Sequence, residues 1–393
     1  MTPSELPVRS SSRLELCPLA IASDGAEYLV GRRGGRYLAV SSVGLEAISL
    51  LGTGIPVGRV KEFLAATHAA DSVVLEPLLQ QLLSADLLHA VDDRRIDGAA
   101  PLVDVPRERP PLLSGERLAW LFGRPAMHVY LSLLTLGILA VLTDARVLPH
   151  PRLLLDVEGW RTVLALVLTA IVAAKHEFAH VAAGRFLGAD PRCRLGYRLF
   201  FPVIETDLSD LWLVPARRRY LAYAAGVASD LLLACLAVIA LWAHVRGIIP
   251  LPADLRHVLE LTVLIVGCVT VWQLNVFLRT DGYYILSNAL GQRHLAGDAK
   301  AYLRRLVRRE RGTTPAAPAV VRFYAIGYAV HVVAVSVAGC AGLAAMASGA
   351  PGSLAGSGAW ISLPITVALL GGAIAAQRRR TRVRYFLQCS PGL

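Results

Sequence analysis

Between Val172 and Phe186 the sequence reads VAAKHEFAHVAAGRF, placing His176, Glu177 and His180 at the end of an otherwise apolar stretch. On a helix, residues four apart project from one face a single turn apart, so the two imidazoles can ligate one cation with Glu177 beside them. A catalytic zinc site takes three protein ligands and keeps a fourth position for water. The extended soluble pattern HExxHxxGxxH is absent, because Ala183 and Phe186 stand where the glycine and the third histidine would be. The third ligand must come from elsewhere, and the candidates are Asp281, Asp230, Glu205, Asp207 and Asp210. The plainer reading is two histidines satisfied by interhelical hydrogen bonds. The apolar setting weighs against it, since ionisable groups in a membrane segment are costly and usually functional. Lys175 reads as a lysine reaching toward the interface, and His331 as a packing residue.

The elements that must carry these groups are written in the composition. Of 393 residues, 55% are hydrophobic and 18% charged, and the mean hydropathy is +0.52, an oily balance for a water-soluble fold. Apolar runs near 126–143, 160–183, 220–243, 258–279, 320–347 and 359–376 are each long enough to cross a hydrocarbon core of about 30 Å as a helix. Lys and Arg number seven in 185–219, nine in 279–322 and five in 378–384, against three in 144–161, two in 244–257 and none in 349–358. The positive-inside rule then places both termini and the two long basic loops in the cytoplasm. No apolar core long enough for a signal peptide occurs in the first 25 residues. Six cysteines occur singly, which indicates neither a cysteine zinc site nor a disulfide framework.

Residues 1–100 differ from the rest. They hold nine Lys/Arg against twelve Asp/Glu, a net charge of −3, so of the overall +11 the remaining chain carries +14. EYLVGRRGGRYLAV, Glu27 to Val40, is a hairpin pattern. Ser41 or Ser42 can cap a helix ending near Gly52, Pro56 and Asp71 open two more helical patterns, and LLHAVDD reads as a short final strand. These elements predict a soluble, winged-helix-like α+β domain over 1–100, a proline-rich linker over 101–125, and a membrane domain over 126–393 with its core at 160–290. The fold class expected is a mainly α membrane protein of about six transmembrane helices with this N-terminal domain. The rival reading of the module is a winged-helix DNA binder, and its acidic balance argues against contact with nucleic acid; Arg32, Arg33 and Arg36 form only a solvated turn cluster.

Three motifs in order carry a resemblance: HEFAH on one span, AAGVASD (Ala224 to Asp230) on the next, and NVFLRTDGYYILSN (Asn275 to Asn288) after a further span. Over about 160 to 290 the chain resembles the site-2 protease family of intramembrane zinc metalloproteases, in its bacterial peptide-metalloprotease branch. The resemblance implies His176, His180 and Asp281 as zinc ligands and Glu177 as the catalytic glutamate. It also implies Asn275, Gly226 and Asp230 as residues shaping the site or the substrate path. Two positions depart from the family: Val276 stands where a proline commonly follows the asparagine, and Thr280 where a hydrophobic residue commonly precedes the aspartate. The N-terminal module is similar to PqqD-type peptide-recognition domains, which bind a leader peptide along a sheet edge.

The expected chemistry is zinc-dependent hydrolysis of a peptide bond, with Zn2+ activating water and Glu177 moving its proton. The expected substrate is a membrane-associated precursor peptide whose leader is removed, in the bacterial cytoplasmic membrane. The alternatives are regulated proteolysis of a transmembrane regulator and a non-catalytic accessory protein for peptide export. Membrane lipid is an expected partner in every case. A transmembrane substrate must be held extended to be cut, and RLGYRLFFPVIETDLSDLW, Arg194 to Trp212, is β-prone enough to offer an edge for it.

Overall fold

The computed structural model describes residues 8–24, 27–33, 35–68, 75–96, 114–155, 159–198, 201–308 and 317–347. The chain divides into two compact units: Met1–Trp120 with Val181–Arg192 and Thr206–Arg219, and Leu121–His180 with Cys193–Glu205 and Tyr220–Leu393. Each has its own logic of burial.

The first unit is built around an α+β module. Strands β1 (Leu14–Leu16), β2 (Ala20–Asp24), β3 (Glu27–Gly31) and β4 (Tyr37–Val40) precede helices α1 (Ser42–Gly52), α2 (Val57–Thr67) and α3 (Leu75–Ser84), and β5 (Leu88–Val91) and β6 (Arg94–Arg95) follow. The expected hairpin is β3–β4, with Tyr28 opposite Val40. Ser41 caps α1, its hydroxyl accepting from the Gly44 amide at 3.1 Å, and Pro56 precedes α2. The expected start at Asp71 lies outside the described residues.

Three strands were not anticipated: β2 extends the hairpin to an antiparallel meander, Ile21 facing Val30, β1 pairs with β5, Leu14 facing Val91, and β6 pairs with β5 as well, Arg94 facing Val91. Each helix buries one stripe, Ile48 and Leu51 from α1, Val57, Val60 and Leu64 from α2, Leu75, Leu79 and Leu82 from α3. Spacings of three and four residues bring these side chains to one helix face, where they form a single apolar core. Asp92 and Asp93, at φ of +50° and +62°, make the two-residue turn that reverses the chain from β5 into β6.

The same unit includes the segment around Ser209–Leu213. Tyr37 donates its hydroxyl to Asp210 Oδ1 at 2.9 Å. Arg219, 3% exposed, donates to the carbonyls of Leu211, Trp212 and Val214 and to Asp24 Oδ1 at 3.2 Å. Burial and the Asp210 carboxylate hold the Tyr37 phenol well above its ordinary range. Of the expected linker, 101–113 lies outside the described residues, and the chain turns helical from Ser114 in the short α4 (Gly115–Leu118).

The second unit is helical and apolar outside. Helices α5 (Arg124–Thr143), α6 (Gly159–Phe186), α7 (Ala216–Val245) and α8 (Ala253–Gln273) are long and apolar enough to cross a membrane. They coincide with the first four expected spans, except that α8 ends six residues early. Beyond them lie α9 (Asp281–Ala289), α10 (Leu295–Arg308) and α11 (Ala319–Ala347). The fifth expected span falls on α11, and the sixth, 359–376, lies outside the described residues. Strands β7 (Arg192–Arg198) and β8 (Phe201–Asp207) pair as a two-stranded sheet between α6 and α7 in sequence. The β-prone loop is therefore a β-ribbon.

The early end of α8 has a structural basis. From Leu274 to Thr280 the chain leaves the helix, and the polar backbone groups it frees find partners, as they must away from water. Asn275 Oδ1 accepts from the Phe277 amide at 3.1 Å, Thr280 donates its hydroxyl to the Asn275 carbonyl at 2.7 Å, and Tyr324 donates to the Val276 carbonyl at 2.9 Å. Thr280, where the resemblance leads one to expect a hydrophobic residue, supplies one of those partners. A Cβ on Gly282 would lie 2.9 Å from the carbonyl carbon and oxygen of Leu274, so glycine is what lets the first turn of α9 approach the end of α8.

Candidate metal centre

Three elements of the second unit bring one cluster together. Helix α6 presents His176 and His180, α9 presents Asp281 at its first residue, and α7 lies behind the histidines with Gly226 and Asp230. The ligand-type atoms of His176, His180 and Asp281 lie within 4.8 Å of one another, and all three residues are buried. His176 Nε2 is 3.1 Å from His180 Nε2 and 3.3 Å from Asp281 Oδ2, and His180 Nε2 is 3.2 Å from Asp281 Oδ1.

The outward nitrogens fix what the inward ones can do. His180 Nδ1 sits 2.8 Å from the Ala222 carbonyl, which only accepts, so this nitrogen carries the proton. His176 Nδ1 sits 2.7 Å from Asp230 Oδ2 and donates in the same way. In the neutral rings both Nε2 atoms therefore present lone pairs to each other and to a carboxylate, and that of His176 also faces the Gln273 side-chain nitrogen at 3.2 Å. Three electron-rich atoms at about 3 Å repel unless a positive charge lies among them. Donors bound at about 2.0 to 2.1 Å in a tetrahedral set stand roughly 3.3 Å apart, the spacing seen here. Asp281 Oδ2 is buried and accepts no hydrogen bond, a state a carboxylate oxygen sustains when a cation takes its place. The donor set, two imidazoles and one carboxylate, could thus hold a divalent metal ion.

The surroundings serve the same end. Asp230, wholly buried, accepts from Lys175 Nζ at 2.7 Å as well as from His176, and Lys175 also donates to Ser229 Oγ at 2.9 Å. Lys175 is therefore a partner of Asp230, a role its position near the interface did not reveal. A carboxylate behind a ligating imidazole fixes its tautomer and raises its basicity. A Cβ on Gly226 would come within 2.4 Å of His176 Nε2 and 2.5 Å of His180 Nε2, so any side chain there would enter the space between the imidazoles. Glu177 is also buried and follows His176 directly in the sequence.

The remaining sequence candidates are placed elsewhere. Asp210 is engaged by Tyr37 and by the Asp190 amide, and Asp207 by the Ser209 amide and hydroxyl. The Glu205 side chain lies outside the described residues. Asn275 shapes the end of α8, its amide nitrogen 3.4 Å from His331 Nε2, and His331 stacks on Phe277 with ring centres 5.2 Å apart. One site residue was missed: the Gln273 side-chain nitrogen is 3.2 Å from His176 Nε2. A polar residue on the last turn of an apolar helix, eight before Asp281, is the signal that could have found it.

No protein-family model matches the chain, and neither does any curated protein or solved structure.

Proposed function

We propose that the protein is an intramembrane zinc endopeptidase that removes the leader of a ribosomally made peptide, with the N-terminal module as its PqqD-like recognition element. The observation that carries this reading is the convergence of two imidazole Nε2 atoms and the Asp281 carboxylate, with the buried Glu177 next to His176 in sequence, where α6 and α7 are apolar enough for a bilayer. His176, His180 and Asp281 would hold the metal, which when bound supplies Lewis-acid polarisation of water and of the scissile carbonyl.

The chain's own groups supply the rest. Glu177 takes the proton of the attacking water at a carboxylate oxygen and returns it to the leaving amine. Asp230, held by Lys175, keeps the His176 proton on Nδ1 so that Nε2 remains a donor atom. The apolar helices around the cluster restrict bulk water, which strengthens each electrostatic contact inside. A substrate segment must be extended for its carbonyl to be reached, and the β7–β8 sheet, two-stranded among the described residues, offers a strand edge to which it can add. Strand addition supplies affinity through main-chain hydrogen bonds, and the acidic module favours a peptide over nucleic acid.

The test is metal content and cleavage measured together on the purified full chain. About one zinc per chain is expected, with cleavage of a bilayer-inserted reporter peptide followed by mass spectrometry. Glu177→Gln should keep the zinc and lose cleavage. Normal turnover by that variant would remove the assigned role, and an Asp281→Ala variant that keeps full zinc would remove the ligand set. For the module, titration of the full chain against leader peptide and duplex DNA at physiological salt is decisive: DNA binding without peptide binding overturns the maturation reading.

A further inference from the structure

We propose that the ends of α6 and α8 remote from the metal cluster form a binding site for the phosphodiester headgroup of a membrane phospholipid. A cavity of about 130 Å³ opens there, lined by Arg161, Thr162 and His257 together with apolar residues that include Leu154, Ala165 and Leu166. That volume is well below what a drug-sized ligand needs, yet it exceeds the share of a single water several-fold. Two of its polar atoms, Thr162 Oγ1 and His257 Nε2, are buried and make no hydrogen bond. Thr169, two turns further along α6, satisfies its hydroxyl on the Ala165 carbonyl at 2.7 Å; Thr162 makes no such bond. Buried polar groups left in this state call for a partner the chain itself does not provide.

The chemistry selects an anion. A guanidinium, a hydroxyl and an imidazole nitrogen converge on one small space, and phosphate oxygens can accept from all three. Both helices begin here, α6 at Gly159 and α8 at Ala253 with no side chain capping the latter, and although Asp254 offsets the positive end of α8, α6 has no acidic residue in its first turn. Glu260, on the same helix as His257, is paired with Arg256 at 3.6 Å.

Lipid, as opposed to free phosphate, is indicated by what adjoins the cavity. Trp160, Val163 and Leu166 are 59%, 60% and 66% exposed and follow one another at threefold spacing along α6, an apolar stripe on which an acyl chain can lie. Their helix is a candidate membrane span, and a tryptophan beside an arginine at a span's end suits the headgroup level. The cavity is separate from the metal cluster. Fourteen residues of helix at 1.5 Å each put Thr162 about 21 Å from His176 along α6, and Val172, Leu261, Ile265 and Val266 pack as an apolar layer along the same two helices. The proposal does not depend on the protease reading.

The experiment uses the full chain, exchanged exhaustively into lipid-free detergent, with bound lipid read by native mass spectrometry and zinc and thermal stability read alongside. Wild type should retain a phospholipid, and phosphatidylglycerol added back should raise the melting temperature where inorganic phosphate does not. Arg161→Gln should lower retained lipid by about tenfold, the loss of one charge-assisted contact. Ala165→Phe, which fills the cavity without removing a polar group, should do the same with zinc content unchanged. Wild type that holds no phospholipid after exchange overturns the proposal, as does equal retention by Arg161→Gln and Ala165→Phe. Stabilisation by inorganic phosphate with none by lipid makes this a free-phosphate site and sinks the lipid assignment. Should a variant fail to fold, the two wild-type measurements decide.

Discussion

Leu51 of α1 and Asp230 of α7 are both 0% exposed, yet they are buried for opposite reasons. Leu51 belongs to an apolar core that water drives together. Asp230 belongs to a region whose exterior is the apolar part: Leu131, Leu142, Leu166, Val271 and Phe323 are among the exposed side chains. In lipid there is no hydrophobic gain from hiding a leucine, so interior positions are free for groups that hydrogen-bond. In the module the buried side chains are mostly apolar and pack one core, whereas in the helical unit buried polar groups gather at His176, His180, Asp230 and Asp281.

The strongest way to break this contrast is at the metal cluster. Gly226→Leu and Asp281→Ala should each abolish zinc binding, measured by metal analysis, while the module still melts as in the wild type. Glu177→Gln should leave zinc in place and lower turnover by about 10²- to 10⁴-fold. A Gly226→Leu protein with full zinc would mean that the space facing His176 and His180 is not the metal's.

The converse experiment attacks the module. Leu51→Ala or Leu82→Ala should destabilise it by about 2–5 kcal/mol in denaturant titration, the cost of a cavity in a packed core. Zinc content should not change, because none of the cluster residues lies in the module. Next in size is Asp230→Asn, which should weaken zinc affinity by about 10- to 100-fold through the tautomer and basicity of His176. An unchanged affinity in a competition titration would reduce Asp230 to a packing role.

The smallest effect sharpens the comparison within the first unit. Tyr37→Phe removes one hydrogen bond to Asp210 and should cost about 0.5–1.5 kcal/mol. Its pH dependence has a fixed sign. Burial and the carboxylate raise the phenol's folded pKa above its unfolded value, so the folded state holds the proton more tightly. This stabilisation is complete below about pH 10, the unfolded phenol's pKa, and is lost as pH rises through the alkaline range. Wild type should therefore lose stability above that pH more steeply than Tyr37→Phe.

Local patterns were readable from the residues in order. Hydropathy located α5, α6, α7 and α8, the spacing of HEFAH put both imidazoles on one face of α6, and Ser41 and Pro56 marked two helix starts. Each of these depends on neighbours within a turn or two. Pairings across the chain were not readable in the same way. Strand β1 is completed by β5 more than seventy residues later, Lys175 finds Asp230 across 55 residues, and Arg219 finds Asp24 across 195. No periodicity encodes such partners.

The sequence by itself determined which atoms are available: two imidazoles a turn apart, a glutamate between them, and five acids any of which could complete the set. Folding brings one of the five, Asp281, to 3.3 Å from His176 Nε2 and 3.2 Å from His180 Nε2. Asp230 and Asp281 are both buried carboxylates beside His176, but one faces Nδ1 and the other Nε2. That choice follows from where α8 stops. Asn275, Thr280 and Tyr324 satisfy the backbone groups released between Leu274 and Thr280, and without those hydrogen bonds an apolar helix would continue through them and carry Asp281 elsewhere.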